Sequence, residues 1–460
     1  MNAIDFSALP VYTEAEVVVI GGGTAGAFAA IASAREGRDT LLIEQFGSLG
    51  GTATNGLVTP LMSTHIAGNP QSSYLFFELQ NKLQALGASN GAGNLFDPLL
   101  LKYALEQLCV EAGVRLLYHT FVPEVIKDGD AITSVVIANK AGLSLVGGKI
   151  FVDATGDGDV AVRAGASYNK GNPETGLNQP MSLRYIIDGV DMKALGEFFE
   201  SEKARTGVSS AAGVSADGWE MYAHCCRGNT VTLTKLFEEA IEAGDLIEDD
   251  HIYWQVFAMP GRYGSLAFNC PEFFVNIDGT NPEDLSISQV KGKNAIVRQL
   301  AFYKKYMKGF EKAYIAEIAP MVGVRESREI VTDHVLTAED ILGKRKHDDM
   351  IAQSNYPIDI HGKQLTNRYL VEPADDGKPW YEIPFRSLIV KDIDNLLVVG
   401  RCIGAEFIAE ASVRIQPTAR STGEAAGIGA ALAIAGGKSI REVNGADVRG
   451  IMVQKGAQFA

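Results

Sequence analysis

Cysteine is scarce in this chain, and its spacing fits neither a metal site nor a dithiol relay. Five cysteines occur in 460 residues, at positions 109, 225, 226, 270 and 402, without any C-x-x-C pair. Such a set predicts no zinc or iron–sulfur site and no bound metal, and it is typical of reduced thiols in the cytoplasm. The adjacent Cys225 and Cys226 allow a strained vicinal disulfide, but we expect two buried thiols.

Positive charge and long apolar segments are also in short supply. Asp and Glu outnumber Lys and Arg by 56 to 41, which gives a net charge of −15. Because phosphate is repelled by such a surface, we expect no nucleic-acid partner. No uninterrupted apolar run approaches the ~18 residues of a membrane span, so we expect no membrane partner. The first ten residues lack the basic and apolar regions of a signal peptide.

A glycine-rich segment near the N-terminus has the spacing of a dinucleotide-binding fingerprint. Residues 17–20 form an apolar run typical of a buried parallel strand, and Gly21, Gly23 and Gly26 follow in G-x-G-x-x-G order. The first glycine permits a tight turn, the second lets the backbone approach a pyrophosphate, and the third lets the next helix pack closely. A dinucleotide site is therefore strongly favoured over a simple glycine-rich turn.

The residues after the glycines complete this pattern. An alanine-rich helix is predicted over residues 25–35, so Thr24 and Ala25 lie where free N–H groups and the positive dipole end meet a phosphate. A second apolar strand ends at Glu44, followed by Gln45, and a carboxylate there accepts hydrogen bonds from a ribose diol. The same carboxylate argues against NADP, because it repels a 2′-phosphate.

Further glycine-containing segments follow a loop or an apolar strand. Gly50, Gly51, Thr52 and Asn55 lie in a permissive loop that is able to lie flat against a planar ring. Later motifs follow the predicted strands at 150–152 and 395–400 and open a predicted helix from Pro417 to about residue 435. The candidate cofactor contacts outside the first loop are Val122, Thr155, Gly156, Asp157, Gly400, Arg401, Thr418 and Gly423.

Taken in order, these motifs resemble the FAD-dependent oxidoreductase family of the glutathione-reductase-like flavoproteins, allied to the fumarate reductase and succinate dehydrogenase flavoproteins. The resemblance extends through DATGDGD at 153–159, VRESREI at 324–330 and the segment 400–427. It implies FAD as the cofactor, with the helix after Pro417 directed at the flavin. Arg401 departs from the Gly-Asp of many flavoproteins and is expected to pair with the pyrophosphate. Phe407 stands where similar proteins often have a histidine.

The expected fold is α/β, with a Rossmann-like FAD-binding domain and an inserted α+β substrate domain. The FAD-binding domain combines a parallel sheet with a small antiparallel β-meander, and we assign it residues 1–167 and 386–460. Residues 168–385 form the predicted insertion, because the glycine patterns stop there and return afterwards. The main predictions within these domains are meander strands at 121–127, 132–138 and 143–146, helices at 72–86, 95–112, 192–205, 233–243 and 287–308, and a Ser/Gly/Ala-rich loop at 209–217.

Few residues qualify as catalytic candidates. Arg325, in VRESREI, and Arg414, just ahead of the helix from Pro417, suit an anionic group near the flavin, although Arg325 equally suits a structural ion pair between domains. His65 follows the Gly50 loop and is a candidate general acid or base, and His224 is a weaker one. The predicted cleft lies between the flavin and the insertion, walled by His65, Arg325 and Arg414.

The leading functional hypothesis is a hydride transfer between a small polar, hydroxylated or anionic substrate and flavin N5. No second G-x-G-x-x-G occurs, so an external electron acceptor or donor is expected rather than a built-in nicotinamide domain. The alternatives are an enoate reductase like fumarate reductase and a flavin or adenine-nucleotide binder without redox turnover. A homo-oligomer is compatible with the sequence. Substrate and direction stay open at this level.

Overall fold

Two sheets of different construction organise the residues that the computed structural model describes, which are 5–89, 95–273, 277–361 and 378–460. The strands are β1 (Val11–Ile20), β2 (Thr40–Ile43), β3 (Arg115–Leu117), β4 (Phe121–Asp128), β5 (Ala131–Asn139), β6 (Gly142–Asp153), β7 (Tyr168–Lys170), β8 (Met181–Ser182), β9 (Tyr185–Asp188), β10 (Ala212–Val214), β11 (Met221–Cys226), β12 (Tyr253–Ala258), β13 (Leu266–Phe268), β14 (Glu272–Phe273), β15 (Tyr314–Ile318), β16 (Arg328–Ile330), β17 (Met350–Ser354), β18 (Tyr381–Pro384) and β19 (Leu396–Val398). The α-helices are α1 (Thr24–Arg35), α2 (Tyr74–Ala85), α3 (Pro98–Ala112), α4 (Asp159–Arg163), α5 (Met192–Thr206), α6 (Thr234–Glu242), α7 (Glu248–Ile252), α8 (Pro282–Tyr306), α9 (Ala338–Leu342), α10 (Phe407–Val413), α11 (Gln416–Gly436) and α12 (Gly445–Gln454).

The larger sheet has seven strands in the order β3-β2-β1-β6-β5-β4, with β19 also paired to β6. Strands β3, β2, β1, β6 and β19 are parallel, whereas β5 and β4 continue the sheet as an antiparallel extension. Ile20 and Val398 both pair with Asp153, so three carboxyl ends meet at one edge of the sheet. Ligands of open parallel sheets bind at such an edge. The predicted α/β fold class is confirmed.

One detail of the predicted meander is wrong. The segments expected as separate strands at 143–146 and 150–152 belong to the single strand β6, which pairs with β5 through its first half and with β19 through its last residues. Gly147 and Gly148 lie within this strand and are extended. A Cβ at position 148 would lie 2.8 Å from Cγ2 of Val18, so the glycine permits close packing rather than a turn.

Helices α1 and α11 pack together behind the parallel sheet. A Cβ at Gly423 would lie 2.0 Å from the carbonyl oxygen of Ala25, and a Cβ at Gly427 would lie 2.2 Å from that of Ala29. Only glycine allows two helix backbones to approach this closely. The small residues of α11 therefore fix the position of its N-terminus relative to the N-terminus of α1.

The second sheet is antiparallel and has six strands in the order β10-β11-β12-β13-β9-β15. Its buried face packs on α8, where Trp254, Phe268 and Tyr303 share one core. The predicted loop at 209–217 is wrong in its middle, because Ala212–Val214 form the edge strand β10. Ala212 is buried opposite Ala223, which explains why so small and polar a segment still forms a strand.

The division into 1–167 plus 386–460 and an insertion of 168–385 stays a prediction. Packing favours an earlier end of the insertion, because Leu336, Ile351 and Ile383 are buried in the same core as Phe28 of α1. The antiparallel sheet has a core of its own. Among the described helices, none has both the length and the apolar character needed to cross a membrane.

Candidate functional site

A cavity of about 1600 Å³ lies between the two sheets. One wall consists of the carboxyl ends of the parallel strands, with Ile20, Ile43 and Val399 at its surface. Tyr222 of β11 and Gln255 of β12 lie on the opposite wall, on one face of the antiparallel sheet. Sites for single small molecules usually occupy about 300–1,000 Å³, so this cavity has room for a dinucleotide and a second molecule.

Most of the cofactor contacts predicted from the sequence line this cavity. They are Gly21, Gly23, Thr24, Ala25, Glu44, Gln45, Gly51, Thr52, Val122, Thr155, Gly156, Asp157, Gly400 and Arg401. These residues come from five separate chain segments, which the larger sheet brings together. Their contact with the cofactor itself stays a prediction.

The remaining predicted contacts, Gly26, Gly50, Asn55, Thr418 and Gly423, do not line the cavity. Gly26 and Gly423 serve helix packing instead, since a Cβ at Gly26 would lie 1.9 Å from the carbonyl oxygen of Gly21. Asn55 is turned into the protein, where its side-chain oxygen accepts from the Ser48 hydroxyl at 2.9 Å and its carbonyl accepts from the Met321 N–H at 3.2 Å. Thr418 is buried in the first turn of α11.

The fingerprint glycines and the Gly50 loop lie side by side. The N–H of Gly50 donates to the carbonyl of Gly22 at 2.8 Å, and a Cβ at Gly51 would lie 2.9 Å from Cα of Gly23. By contrast, a Cβ at Gly23 would meet no atom closer than 3.9 Å, because this side faces the cavity. The two loops thus form a cradle of bare backbone, as a bound pyrophosphate requires.

The N-termini of α1 and α11 both open on this cavity. Neither helix has a side-chain cap, and Thr24 and Gln416, at their first residues, line the wall. Uncapped N–H groups and a positive dipole end favour an anionic ligand. Gln416 was missed by the sequence analysis, which placed the cofactor contact at Thr418. Its Nε2 donates to the carbonyl of Val58 at 2.9 Å and so ties the helix to the loop after Gly51.

Glu44 is buried at the end of β2, with 5% of its surface exposed. Its Oε2 accepts from the N–H of Gly22 at 2.6 Å, and its Oε1 accepts from the N–H of Phe46 at 2.8 Å. Burial raises the pKa of Glu44, although the N–H groups of Phe46 and Gly22 oppose the shift. The carboxylate is therefore held rigidly beside the fingerprint, in a position suited to a ribose.

Asp157, Arg401 and Ser327 form a hydrogen-bonded cluster on the same wall. Arg401 donates to Asp157 at 2.8 Å and to the Ser327 hydroxyl at 3.1 Å, and that hydroxyl donates to Asp157 at 2.6 Å. The sequence suggested that Arg401 pairs directly with a pyrophosphate. The structure gives it a carboxylate partner, so a direct contact with the pyrophosphate stays a prediction.

The opposite wall carries a cluster of arginines and carboxylates. Arg325 forms a buried ion pair with Glu272 and donates to the carbonyl of Pro180 at 2.6 Å. Arg414 donates to the carbonyl of Asp359 at 2.9 Å and lies 3.4 Å from its carboxylate. Both arginines line the cavity, as His65 does.

His361 links the two carboxylates of this cluster. Its Nδ1 lies 3.1 Å from Oε1 of Glu272, and its Nε2 lies 3.4 Å from Oδ2 of Asp359. Burial by itself favours protonated carboxyls, but the charge of Arg325, with His361, keeps the pKa of Glu272 below its usual value. For Asp359, burial is likewise opposed by the hydrogen bond from His361 and by Arg414, and the net pKa is lowered. Both groups are therefore ionised at neutral pH.

The sequence analysis missed His361 and Arg184. His361 lies in no motif, so only the fold places it at the cavity. Arg184 lies between β8 and β9, among the apolar residues of 181–187. A charged residue within an apolar segment was the available signal. Arg184 lines the cavity and donates through Nε to Oδ1 of Asn269 at 2.6 Å.

The histidines considered from the sequence have different surroundings. His65 is exposed and has φ of +56°. Its ring meets the ring of Tyr356 edge-on, with 5.3 Å between the ring centroids. His224 does not line the cavity, and its Nε2 lies 2.9 Å from Sγ of Cys226. Cys225 and Cys226 are free thiols, of which Cys225 is buried, as predicted, and Cys226 is only half-buried; burial raises the pKa of Cys226 to about 11. Within the described residues, no three His, Cys, Asp or Glu side chains are grouped as a metal site.

Solved structures of similar fold include several flavoenzymes. A geranylgeranyl bacteriochlorophyll reductase-like protein from Thermoplasma acidophilum has a TM-score of 0.47 and 14% identity, over 96% of this chain and 84% of that one. The p-nitrophenol 4-monooxygenase PnpA from Pseudomonas putida gives 0.46 and 11%, over 97% and 87%. An L-proline dehydrogenase from P. horikoshii gives 0.42 and 14%, over 97% and 99%. Likenesses this distant carry no argument about function.

The family relationship is clearer. Comparison with curated proteins finds no match. The family model described as FAD dependent oxidoreductase, however, matches residues 16–452, which is nearly the whole chain. This match sets aside the alternative of a nucleotide binder without redox turnover. The chain belongs to the FAD-dependent oxidoreductase family, and it is an oxidoreductase whose cofactor is FAD.

Proposed function

We propose that the enzyme transfers a hydride between a small hydroxylated or anionic organic substrate and N5 of FAD. The observation that carries this proposal is the shared cavity, in which the glycine cradle forms one wall and the cluster of Arg325, Arg414 and His361 lies on the other. When bound, FAD supplies the two-electron acceptor or donor. The protein then has to supply position, charge and proton transfer.

Arg325 and Arg414 are suited to orienting the substrate because both are held in place before it binds. Arg325 is fixed by Glu272 and by the carbonyl of Pro180, and Arg414 is fixed by Asp359. Guanidinium groups that are already oriented need no rearrangement when they meet an anionic or hydroxyl-rich molecule. Their positive charge also stabilises negative charge that develops on a substrate oxygen.

His65 is our candidate for proton transfer. Nδ1 of His361 lies 3.1 Å from Glu272 and Nε2 lies 3.4 Å from Asp359, so both ring nitrogens of His361 are occupied and neither is left for a substrate proton. His65 takes the proton from a substrate hydroxyl and, in the direction of reduction, returns it. His65 lines the same cavity but is exposed, so water competes with the substrate there.

An enoate reductase, like fumarate reductase, is the second candidate. The arginines favour it, because they would hold the carboxylate that activates an adjacent carbon–carbon double bond. The second proposal also includes a relationship between this chain and the fumarate reductase flavoproteins, which its motifs resemble. In either case the other half-reaction uses an external electron donor or acceptor, since we identify no second dinucleotide fingerprint in the sequence.

Both candidates are tested by following the visible absorbance of the bound flavin under anaerobic conditions. The holoenzyme is mixed with hydroxy acids, sugars and amines, and the chemically reduced holoenzyme is mixed with enoates. We expect one hydroxylated or anionic compound to bleach the visible flavin band at a saturable rate. Recovery of the band with an enoate alone favours the second candidate. If no compound changes the flavin spectrum in either direction, both proposals are wrong.

A further inference from the structure

Arg184 is a buried cation at the cavity that has no carboxylate partner among the described residues. Only 8% of its surface is exposed. Its Nε donates to Oδ1 of Asn269 at 2.6 Å, and no described Asp or Glu forms an ion pair with it. The three other arginines that line the cavity differ, since Arg325, Arg401 and Arg414 each pair with a carboxylate.

The surrounding polar network fixes the orientation of this guanidinium. Nδ2 of Asn269 donates to Gln255 at 2.8 Å and to the Tyr253 hydroxyl at 3.2 Å, so the Asn269 oxygen is left to accept from Arg184. The Tyr253 hydroxyl itself donates to Gln255 at 2.7 Å. The Nε edge of Arg184 is therefore occupied, and its two Nη groups donate to no described residue.

Space is left open beside those Nη groups. Gly323 has no side chain there, and a Cβ at that position would lie 3.5 Å from Nη1 of Arg184. Gly323, Asn269 and Arg184 all line the cavity. The free fork of the guanidinium is accordingly available to a molecule inside the cavity.

The charges around Arg184 leave it uncompensated. Among the described residues, Arg184, Arg325 and Arg414 face only two carboxylates, Glu272 and Asp359, and each carboxylate already has another arginine as partner. Burial, together with the charges of Arg325 and Arg414, lowers the pKa of Arg184 to about 9, which still leaves the guanidinium charged at neutral pH. Burying such a charge is costly unless an anion accompanies it.

We infer that Arg184 binds a carboxylate of the substrate through its two Nη groups, so that the substrate is an organic acid. A planar carboxylate matches the guanidinium fork with two parallel hydrogen bonds, which a single hydroxyl cannot do. This inference rests on the proposed function and narrows its hydroxylated or anionic substrate to a carboxylic acid. Phosphate is the competing oxyanion, and the test below separates the two.

The test compares acids with amides of the same shape. The holoenzyme is titrated with propanoate, benzoate, propanamide, benzamide and inorganic phosphate, and binding is followed by calorimetry and by the flavin spectrum. We expect each acid to bind at least tenfold more tightly than its amide and more tightly than phosphate. Arg184→Gln should weaken the binding of the acids at least tenfold. Arg184→Lys should lie between, because it keeps the charge but loses the fork.

Arg262→Gln is the matched control. It removes a guanidinium paired with Asp188 of the same sheet at 2.9 Å, and Arg262 does not line the cavity. Affinity for the acids should stay as in the wild type. FAD content and Tm establish whether each variant is folded. If Arg184→Gln does not fold, the comparison of acid with amide in the wild type still tests the inference.

Each contrary result overturns the inference. These results are equal affinity for acid and amide, no binding of either acid, tighter binding of phosphate, and unchanged affinity in Arg184→Gln. Because the assay measures binding and not turnover, it is separate from the proposed function. Binding of acids by an enzyme whose flavin no substrate reduces or reoxidises would contradict the proposed function alone. Turnover of neutral substrates without acid binding would contradict the role of Arg184 alone.

Discussion

Arg401 and Asp157 form an ion pair at 2.8 Å that joins chain segments 244 residues apart. Asp157 follows β6 and Arg401 follows β19, so the pair closes the edge of the parallel sheet where both strands end. Gly156, with φ of +83°, gives the guanidinium its place, since a Cβ there would lie 2.8 Å from Nη2 of Arg401. The pair thus maintains one wall of the cavity and balances the charge on it.

Replacing Arg401 by Met should weaken FAD binding by about tenfold or more, a free-energy change of about 1.4 kcal/mol. The change leaves Asp157 unpaired, and its negative charge then repels the pyrophosphate. FAD released on dilution and filtration measures the effect. Arg386→Met, which breaks a pair with Asp349 away from the cavity, should release no more FAD than the wild type. Equal retention in Arg401→Met and Arg386→Met would show that the pair does not support the cofactor.

Substitutions at Gly23 and Gly26 of the fingerprint should have different effects, because Gly23 borders the cavity whereas Gly26 packs against the backbone of Gly21. In Gly23→Val the new side chain enters the cavity, where the nearest atom to a Cβ is 3.9 Å away, so the protein should fold and lack FAD. In Gly26→Ala the Cβ would lie 1.9 Å from the carbonyl oxygen of Gly21, so the fold itself should lose roughly 1–3 kcal/mol. Circular dichroism melts of FAD-free protein and flavin absorbance distinguish these outcomes. A Gly23→Val protein that retains FAD would refute the assignment of the cradle.

The order of the elements along the chain was readable from the sequence because each carries a local signal. The glycines at 21, 23 and 26 follow an apolar strand, and a carboxylate at Glu44 ends the next strand. Such patterns depend on backbone geometry within about thirty residues, as in a βαβ unit. The confirmed family and the α/β fold rest on these signals.

The residues on the far wall of the cavity could not be predicted from local sequence patterns. Arg184, Glu272 and His361 are distant in sequence and belong to no motif, and only the tertiary fold brings them together, in part through the pairing of β14 with β8. Asn55 was placed at the flavin because of its position in a glycine loop, yet its side chain bonds Ser48 inside the protein. Local patterns identify segments, whereas the direction of each side chain depends on packing that they do not encode.

Arg414→Ala should reduce turnover by more than tenfold while FAD stays bound, a barrier increase above about 1.4 kcal/mol. In the proposed function the guanidinium orients the substrate and stabilises its developing charge, whereas its bonds in the structure go to Asp359 and not to the residues of the glycine cradle. Steady-state rates and the FAD content of the same sample give the result. Arg441→Ala is a suitable control, because Arg441 pairs with Asp333 outside the cavity lining. Wild-type turnover in Arg414→Ala would make Arg414 a structural residue.

Glu410 should make the protein less stable as the pH rises. Burial raises its pKa from 4.5 to about 8, and neither carboxyl oxygen has a hydrogen-bond partner in the structure. Between those values the folded protein keeps a proton that the unfolded chain has released, so the contribution to stability is present in full below pH 4.5 and declines as the pH approaches 8. One such proton corresponds to about 1.4 kcal/mol per pH unit.

Glu410→Gln keeps the neutral shape and removes this titration. We expect Tm of the wild type to fall as the pH rises from 4.5 to about 8, and that of Glu410→Gln to fall less. Burial and the charge of Glu410 raise the pKa of Glu329 to about 9. Glu329 should therefore still give the variant some dependence of Tm on pH. If Tm changes equally with pH in the wild type and in Glu410→Gln, the buried, protonated state of Glu410 is contradicted.

The central claim, hydride transfer between an organic acid and the flavin, is tested most directly by an isotope effect on flavin reduction in a single turnover. The holoenzyme is mixed without oxygen with the compound that bleaches the flavin, either unlabelled or deuterated at the carbon that loses hydrogen. The account predicts that the flavin band disappears several-fold more slowly with the deuterated acid at saturating concentration. Equal rates for the two isotopologues, in wild type and in the slower Arg414→Ala variant alike, would contradict it.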